Sequence, residues 1–320
     1  MPLLDEVTRA VASGGKRLRP VLCYWAFRGG GGRHCPEILA AAGSLELLHT
    51  FALLHDDLMD RATVRRGKPA AHLRLATELS AAGRADAEHL GLSIAMLAGD
   101  LALVLSDAMF TSSGFGPEAV TRAFVPLNEL RIRTAAGQYL DVIMAGTSFS
   151  DVDAALQIAR LKTASYTVEG PLLVGAALAG ASALTAEALG RAGSSLGEAY
   201  QLRDDVSGVF AAPAETGKNG VSDLRQGKPT LLLAEAYARA APNERKLLHR
   251  TVGHAAAGED DLDRVKAVIR ATGALAAVRA RIDALVAAAR EALSSAALAD
   301  PAAAALTAIV AGLTTGSLPG

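Results

Sequence analysis

Residues 38–60 read ILAAAGSLELLHTFALLHDDLMD. The apolar residues of this stretch recur at the three- and four-residue spacing of an α-helix, and its last turn carries three aspartates. The same spacing continues along most of the chain and predicts an all-α fold. The further predicted helices are residues 94–109, 120–144, 152–174, 184–210, 231–239, 262–276 and 278–293.

Composition favours one domain with an aliphatic interior. Of the 320 residues, 51% are hydrophobic but only 4% are aromatic. The Gly- and Pro-containing breaks at 29–32, 112–117 and 211–229 are too short to be interdomain linkers. No run alternates with period two for long enough to predict a strand. We therefore predict a single domain, residues 1–320, folded as an antiparallel helical bundle around a central cavity.

Charge and cysteine content indicate which partners and which cellular compartment to expect. The formal net charge of −1 gives no global field that would attract nucleic acid. Cys23 and Cys35 do not form a Cys-x-x-Cys pair, so two thiols in a reducing compartment are expected rather than a disulfide framework. The N-terminus lacks the apolar segment of a signal peptide, and the weakly polar stretch 171–184 is too short to span a bilayer. We expect a cytoplasmic protein without a membrane span.

Three aspartates form an acidic cluster at the end of the first helical stretch. Helical spacing places Asp56 and Asp60 nearly above one another, with Asp57 beside them. Carboxylates this close repel one another unless a cation lies among them, and oxygen ligands suit Mg²⁺. An exposed acidic helix end would give the same pattern. His49 favours a functional site, because it projects from the same stripe as Asp56 and Asp60.

Basic clusters accompany the aspartates. Arg65, Arg66 and Lys68 follow in a Gly- and Pro-containing loop, and a second group surrounds Lys16 and Arg19 after two glycines. Forked guanidinium groups clamp phosphate oxygens, so cations beside magnesium carboxylates are what a polyanionic ligand needs. Each cluster alone could be a solvated loop, but together they predict a diphosphate site.

A second Asp pair repeats this arrangement later in the chain. Gln201, Asp204 and Asp205 share one broad face near the end of another apolar helix. Lys218 and Lys228 follow in a Gly-rich stretch. Two such units facing each other across a cavity could hold several Mg²⁺ ions on one diphosphate.

The ordered motifs resemble the trans-type polyprenyl (isoprenyl) diphosphate synthases. The resemblance spans residues 14–233. It rests on GGKRLRP at 14–20, ELLH at 46–49, HDDLMD at 55–60, RRGKP at 65–69, KT at 162–163, QLRDD at 201–205, and TGK with DLRQGK at 216–228. It implies an all-α homodimer that condenses isopentenyl diphosphate with an allylic diphosphate and uses three Mg²⁺ ions per active site.

Residue roles follow from the matched positions. The implied metal ligands are Asp56, Asp57 and Asp60 for two ions, and Asp204 with Asp205 for the third. The residues matched to isopentenyl diphosphate are Lys16, Arg19, His49 and Arg66. Those matched to the allylic diphosphate are Arg65, Lys162, Lys218 and Lys228, while Lys162, Thr163 and Gln201 are implied in catalysis around the carbocation.

One position, Gly208, affects the expected metal binding, and another, Phe51, affects the expected length of the product. The third aspartate of the second motif is replaced by Gly208, which puts the third-metal site in doubt. Phe51, five residues before Asp56, matches an aromatic floor that favours geranylgeranyl diphosphate in the family. Helical spacing alone turns Phe51 about 140° from Asp56, so its orientation stays open at this point.

Four alternatives remain. One is farnesyl diphosphate as the main product. The second is a class I terpene cyclase, which would need no isopentenyl diphosphate site and more aromatic residues. The third is a regulatory synthase subunit, which would be expected to lose its aspartates. The fourth, a helical interaction scaffold, leaves both Asp–basic units unexplained.

Overall fold

The computed structural model describes residues 2–145, 150–211 and 222–314 and confirms an all-α fold. The first half contains α1 (Pro2–Ala12), α2 (Leu18–Gly29), α3 (Pro36–Met59), α4 (Ala71–Ala81), α5 (Ala87–Thr111) and α6 (Pro117–Met144). The second half contains α7 (Val152–Ile158), a π-helix (Ala159–Glu169), α8 (Gly170–Ala179), α9 (Ala183–Phe210), α10 (Ser222–Gln226), α11 (Leu231–Arg239), α12 (Pro242–Thr251), α13 (Glu259–Ala271), α14 (Ala274–Ser295) and α15 (Ala302–Thr314).

Local sequence sets several helix starts. Pro36, Pro117 and Pro242 occupy the first turns of their helices, where the missing N–H is not needed. The side chains of Ser182 and Thr230 accept hydrogen bonds from backbone N–H groups at the starts of α9 and α11.

The helices pack as layers around a central cavity. α3 packs against α5, α9 packs against both the π-helix and α14, and α2 packs against α8. One aliphatic core lies between α3, α6 and α8, and it includes Ile38, Leu45 and Leu127. Another is formed by α9, α11, α13 and α14, and it includes Leu202, Leu232 and Leu262. These cores fix the helices whose ends carry the two Asp pairs.

Three details differ from the sequence-based predictions. The basic loop after α3 contains a two-residue hairpin, Val64–Arg65 paired antiparallel with Lys68–Pro69, although no strand was predicted. The predicted helix 152–174 is interrupted by the π-helix. The sequence did not predict this interruption, because an inserted π-turn leaves the hydrophobic spacing nearly unchanged. The predicted helix 262–276 ends at Ala271, where Gly273 has a φ of 75°.

Two helices, α3 and α5, are long and apolar enough to cross a membrane by length and composition alone. The stretch 171–184 is not among them; it contains most of α8, whose residues are mostly buried. Core helices of soluble proteins meet the same criterion, so the finding is weak evidence.

Candidate active site

A cavity of about 440 Å³ lies where the ends of α3, α6 and α9 meet the π-helix. It brings together most of the residues singled out in the sequence. The predicted residues that line it are Lys16, Arg19, His49, Asp56, Asp60, Arg65, Arg66, Lys162, Thr163, Gln201, Asp204, Asp205 and Lys228. Asp57 and Phe51 do not line it, and Lys218 falls outside the described residues.

The π-helix supplies four of the side chains that line the cavity. Lys162, Thr163, Tyr166 and Thr167 all line it, so every fourth residue faces the same way. Side chains four residues apart lie on one face of an α-helix, and the wider turns of the π-helix keep this spacing on one face. Gly137 on α6 allows the approach, since a Cβ there would lie 2.3 Å from the Lys162 backbone nitrogen.

Lys162 lies between two carboxylates from different helices. Its Nζ is 2.6 Å from Asp141 Oδ2 and 3.1 Å from Asp56 Oδ1. Burial alone would lower the pKa of Lys162, but the charges of Asp56 and Asp141 raise it. Lys162 is therefore a cation held inside the cavity and able to donate to a phosphate oxygen.

Asp57 holds Arg65 rather than facing the cavity. Its carboxylate is buried and accepts from Arg65 Nε at 2.7 Å and also from Nη2, while Nη2 lies 3.0 Å from Asp56 Oδ2. Burial would raise the pKa of Asp56, but Lys162 and Arg65 lower it. Asp56 is therefore ionised and lines the cavity, and Arg65 is held beside it by both carboxylates.

Asp60 has a different electrostatic environment at the cavity mouth. Burial raises its pKa, and the neighbouring charge of Asp56 raises it further. A charge on Asp60 is therefore disfavoured beside that of Asp56, and a cation between the two carboxylates would relieve the repulsion.

A tight hairpin aims the two adjacent arginines in different directions. Arg66 and Gly67, at its tip, have φ values of 53° and 72°, as a two-residue hairpin turn requires. Arg66 then reaches the loop after α1, where Nη1 donates to Ser13 Oγ at 2.8 Å and to the Gly14 carbonyl. Gly15 has a φ of 129°, a backbone conformation that favours glycine, and the Arg66 guanidinium lies against it.

The basic end of the cavity is organised by Tyr166. The Arg19 guanidinium lies 4.1 Å from the centre of the tyrosine ring and donates to Thr167 Oγ1 at 2.8 Å. The Tyr166 hydroxyl lies 3.3 Å from His49 Nδ1. Burial, followed by the charges of Arg19 and Arg66, lowers the pKa of His49 to about 2. His49 is therefore neutral. The Tyr166 hydroxyl donates to the Leu48 carbonyl at 3.3 Å, so its oxygen is left to accept from His49 Nδ1.

The second Asp pair is joined to the segment that follows α9. Gln201 Nε2 donates to Asp205 Oδ1 at 2.6 Å. Burial raises the pKa of Asp205 well above its usual value, and the charges of Asp223 and Asp204 add to the effect. Lys228 Nζ lies 3.6 Å from Asp223 Oδ1. Burial opposes the charge of Lys228, but Asp223 and Asp60 raise its pKa, so it remains charged.

Several cavity residues were missed in the sequence. The most informative are Asp141, Tyr166, Tyr200, Asp223 and Glu46. The sequence signal that could have pointed to Asp141 was Gly137, which lies four residues earlier on the same predicted helix. Asp223 is the first residue of the DLRQGK motif at 223–228, and the sequence alone indicated no role for it.

The carboxylates fit a divalent metal that binds together with a phosphate ligand. Among residues 2–145, 150–211 and 222–314, no three His, Cys, Asp or Glu side chains converge as a self-sufficient metal site. Mg²⁺ is commonly bound by one or two carboxylates, with substrate phosphates and waters completing its shell. Asp56, Asp60 and Asp204 supply such oxygen donors on the cavity wall.

Comparisons with known proteins agree with this geometry. The family model for polyprenyl synthetases matches residues 1–270. A geranylfarnesyl diphosphate synthase from Aeropyrum pernix is 36% identical over 89% of this chain and 84% of its own length. A geranylgeranyl diphosphate synthase from Sulfolobus acidocaldarius is 31% identical over 82% and 75%. A Corynebacterium glutamicum geranylgeranyl pyrophosphate synthase, solved with isoprenyl diphosphate and magnesium, superposes with a TM-score of 0.92 at 36% identity, covering 98% of this chain and 91% of that one.

Proposed function

The chain belongs to the polyprenyl synthetase family, and we propose that this cavity condenses an allylic diphosphate with isopentenyl diphosphate to give geranylgeranyl diphosphate as the main product. The single observation that carries the proposal is that the two Asp clusters, the cationic side chains between them and a separate basic end all line one cavity. A cyclase would have no need of that separate basic end.

The allylic diphosphate is assigned to the acidic part of the cavity. Arg65, Lys162 and Lys228 are charged, and each is held there by carboxylates. They would donate to the diphosphate oxygens and stabilise the charge that builds as it leaves. We propose three Mg²⁺ ions, two at Asp56 and Asp60 and one at Asp204 with Asp205. Bound magnesium would neutralise diphosphate charge and so assist cleavage of the allylic C–O bond.

Isopentenyl diphosphate is assigned to the basic end. Lys16, Arg19 and Arg66 would donate to the diphosphate oxygens, and neutral His49 lies beside them on the cavity wall. As the C–O bond breaks, the diphosphate departs with the electron pair and the isopentenyl double bond attacks the allylic cation. A proton is then lost to give an allylic product five carbons longer. We propose the departing diphosphate as the base, while Thr163 and Gln201 line the path of the cation.

Product length is the finer part of the proposal. Relatives named geranylgeranyl diphosphate synthases support a C20 product, and Phe51 is the candidate floor for the tail. Phe51 does not itself line the cavity; it is half-buried, with its ring 4.7 Å from that of His55. Farnesyl diphosphate remains the alternative product. The name of the Aeropyrum relative also makes a C25 product an outcome to look for.

The test is a turnover assay with Mg²⁺, labelled isopentenyl diphosphate and each of the C5, C10 and C15 allylic diphosphates. The expected result is incorporation with a C20 main product. Farnesyl diphosphate as the end product would support the alternative. Release of diphosphate without isopentenyl diphosphate would favour a cyclase, and no incorporation with any primer would defeat the proposal.

We also propose a homodimer formed through the exposed apolar faces of α5 and α6. On α6 the stripe Val125, Ile132 and Tyr139 is 65–71% exposed at seven-residue spacing. On α5, Leu97 and Val104 are also exposed. Contiguous exposed apolar surface marks association sites. Light scattering should give twice the mass of the 32.8-kDa chain, and Ile132→Glu should shift it towards one chain.

For location, we propose the cytoplasm. Cys23 and Cys35 are both free thiols, as expected in a reducing compartment. Fractionation of cells that express the chain would test this. Recovery with membranes after a high-salt wash would argue against it.

A further inference from the structure

The face of α6 that lines the cavity continues beyond the cavity itself. Thr134, Gln138 and Asp141 line the cavity from α6. Leu127 and Arg131 continue the same spacing of three and four residues towards the start of the helix, so they lie on the same face. Leu127 is buried there, as an apolar residue on an inner face should be. Arg131 is therefore the first residue on this face after the cavity lining ends at Thr134.

The Arg131 side chain is a cation held in place on this inner face. Its Nη2 forms an ion pair with Asp107 Oδ1 on α5, and its Nη1 lies 3.5 Å from Asn128 Oδ1. The side chain is only 19% exposed, and its Nε is buried without a hydrogen-bond partner in the part of the chain that the structure describes. The ion pair thus fixes a guanidinium that joins α6 to α5 beyond the cavity lining.

Contact between this guanidinium and a hydrocarbon tail is unfavourable. A tail that covered Arg131 would remove water from a charged group and would offer no acceptor to its unpartnered Nε. Phe51, the candidate floor on α3, has no charge to desolvate and can repack against hydrocarbon. Arg131 would therefore stop a tail by its charge as well as by its size.

We propose that Arg131, held by Asp107, forms a second stop for the growing tail beyond Phe51 and sets the upper limit of product length. The inference rests on the proposed function, which assigns the allylic diphosphate to the part of the cavity around Lys162. The tail of that ligand then runs along the inner face of α6, past Thr134 and towards Arg131.

Helical rise gives the distance between the two stops. Lys162 contacts both Asp56 and Asp141, so these two residues mark one level of the cavity. Phe51 lies five residues before Asp56 and Arg131 lies ten residues before Asp141, which is about 7.5 Å and about 15 Å along the two helices. A five-carbon unit extends a chain by four bonds, or about 5 Å. The second stop therefore leaves room for about one or two units beyond the first.

The test removes the charge of the second stop after the first stop has been opened. The background is Phe51→Ala, and in it Arg131→Leu is combined with Asp107→Asn so that neither charge is left unpaired. Arg131→Lys is the conservative variant that keeps the charge. Arg133→Leu is the matched control, because Arg133 also lies on α6 and pairs with Glu129 at 3.0 Å but does not line the cavity.

Two readouts are needed, one with turnover and one without it. The first is the length of the products made from labelled isopentenyl diphosphate. The second is the affinity for prenyl diphosphates from C15 to C30, measured by calorimetry with Mg²⁺ and without isopentenyl diphosphate. Removal of the charged pair should lengthen the longest product by at least one five-carbon unit. It should also tighten binding of the first chain length that the background excludes by about 10-fold, the usual scale of an overpacking penalty.

Arg131→Lys and Arg133→Leu should both keep the product lengths and affinities of the background. Unchanged product lengths and affinities after removal of the charged pair would overturn the inference. Arg131→Lys that lengthens the product as much as Arg131→Leu would also overturn it, because the charge would then not be the stop. The same lengthening in the parent background would support it and show that Arg131 is reached without removal of Phe51.

Failure of the proposed function would give a different result. A parent that binds prenyl diphosphates but incorporates no isopentenyl diphosphate would count against condensation. The affinities across the chain lengths would still decide whether Arg131 limits the tail.

Discussion

His49 is expected to make the stability of this protein depend on pH in a defined direction. Its pKa is lowered to about 2 in the folded protein, whereas an unfolded histidine has a pKa of about 6.5. Between these values the unfolded chain binds the extra proton, so unfolding becomes easier as pH falls. The stability contributed by neutral His49 is complete above the unfolded pKa and is lost progressively below it.

The size of the effect follows from proton linkage. Taking 6.5 and 2 as the two pKa values, acidification from about pH 7.5 to 5.5 should lower the free energy of unfolding by about 1.4 kcal/mol through this residue alone. His49→Gln keeps a polar side chain that does not titrate. The unfolding free energy of the parent minus that of the variant should therefore fall by that amount as the pH is lowered over the same range.

Urea denaturation at fixed protein concentration, without Mg²⁺ or diphosphate, measures this difference. His89→Gln is the control, because His89 is exposed on α5. A parent-minus-variant difference that stays constant with pH would refute the account. A difference that grows on acidification would mean that the folded protein stabilises the charged imidazole, contrary to the arginine-rich surroundings of His49.

Three further predictions concern the cavity wall. Asp57→Asn should weaken the hold on Arg65, lower the unfolding free energy by about 1.5–3 kcal/mol and raise KM for the allylic diphosphate, measured by urea denaturation and steady-state kinetics. Tyr166→Phe should raise KM for isopentenyl diphosphate by about 2- to 12-fold through loss of the His49 contact, with KM for the allylic partner as the internal control. Phe51→Ala should lengthen the product seen by chromatography, and an unchanged chain-length profile would remove Phe51 from product control.

The helical stripe was the part of the site that sequence could predict best. His49, Asp56 and Asp60 were placed on one face because the α-helical period is fixed, and all three line the cavity. The helical period could not predict that adjacent residues such as Asp56 and Asp57 would have different contacts. Asp57 turns away to hold Arg65, a contact that depends on the hairpin after α3.

Contacts between segments distant in sequence could not be predicted. The pairing of Lys162 with Asp141 depends on the close approach at Gly137 and on a π-helix, and neither changes the hydrophobic spacing enough to be read. Gly208 was noticed as a missing acid, but only the fold shows that the Asp223 side chain lies against it. The hydrophobic pattern predicted that the helices exist. The places where helices are interrupted, and the contacts between residues distant in sequence, could be seen only in the packed structure.

The central claim is that one cavity holds two diphosphates at opposite ends. A crystal structure with Mn²⁺ in place of Mg²⁺, isopentenyl diphosphate and an unreactive allylic thiodiphosphate tests it most directly. We predict anomalous metal signal beside Asp56, Asp60 and Asp204, with the allylic ligand there and isopentenyl diphosphate against Arg19, His49 and Arg66. Metal away from both Asp clusters, or isopentenyl diphosphate bound outside the basic end, would contradict the account.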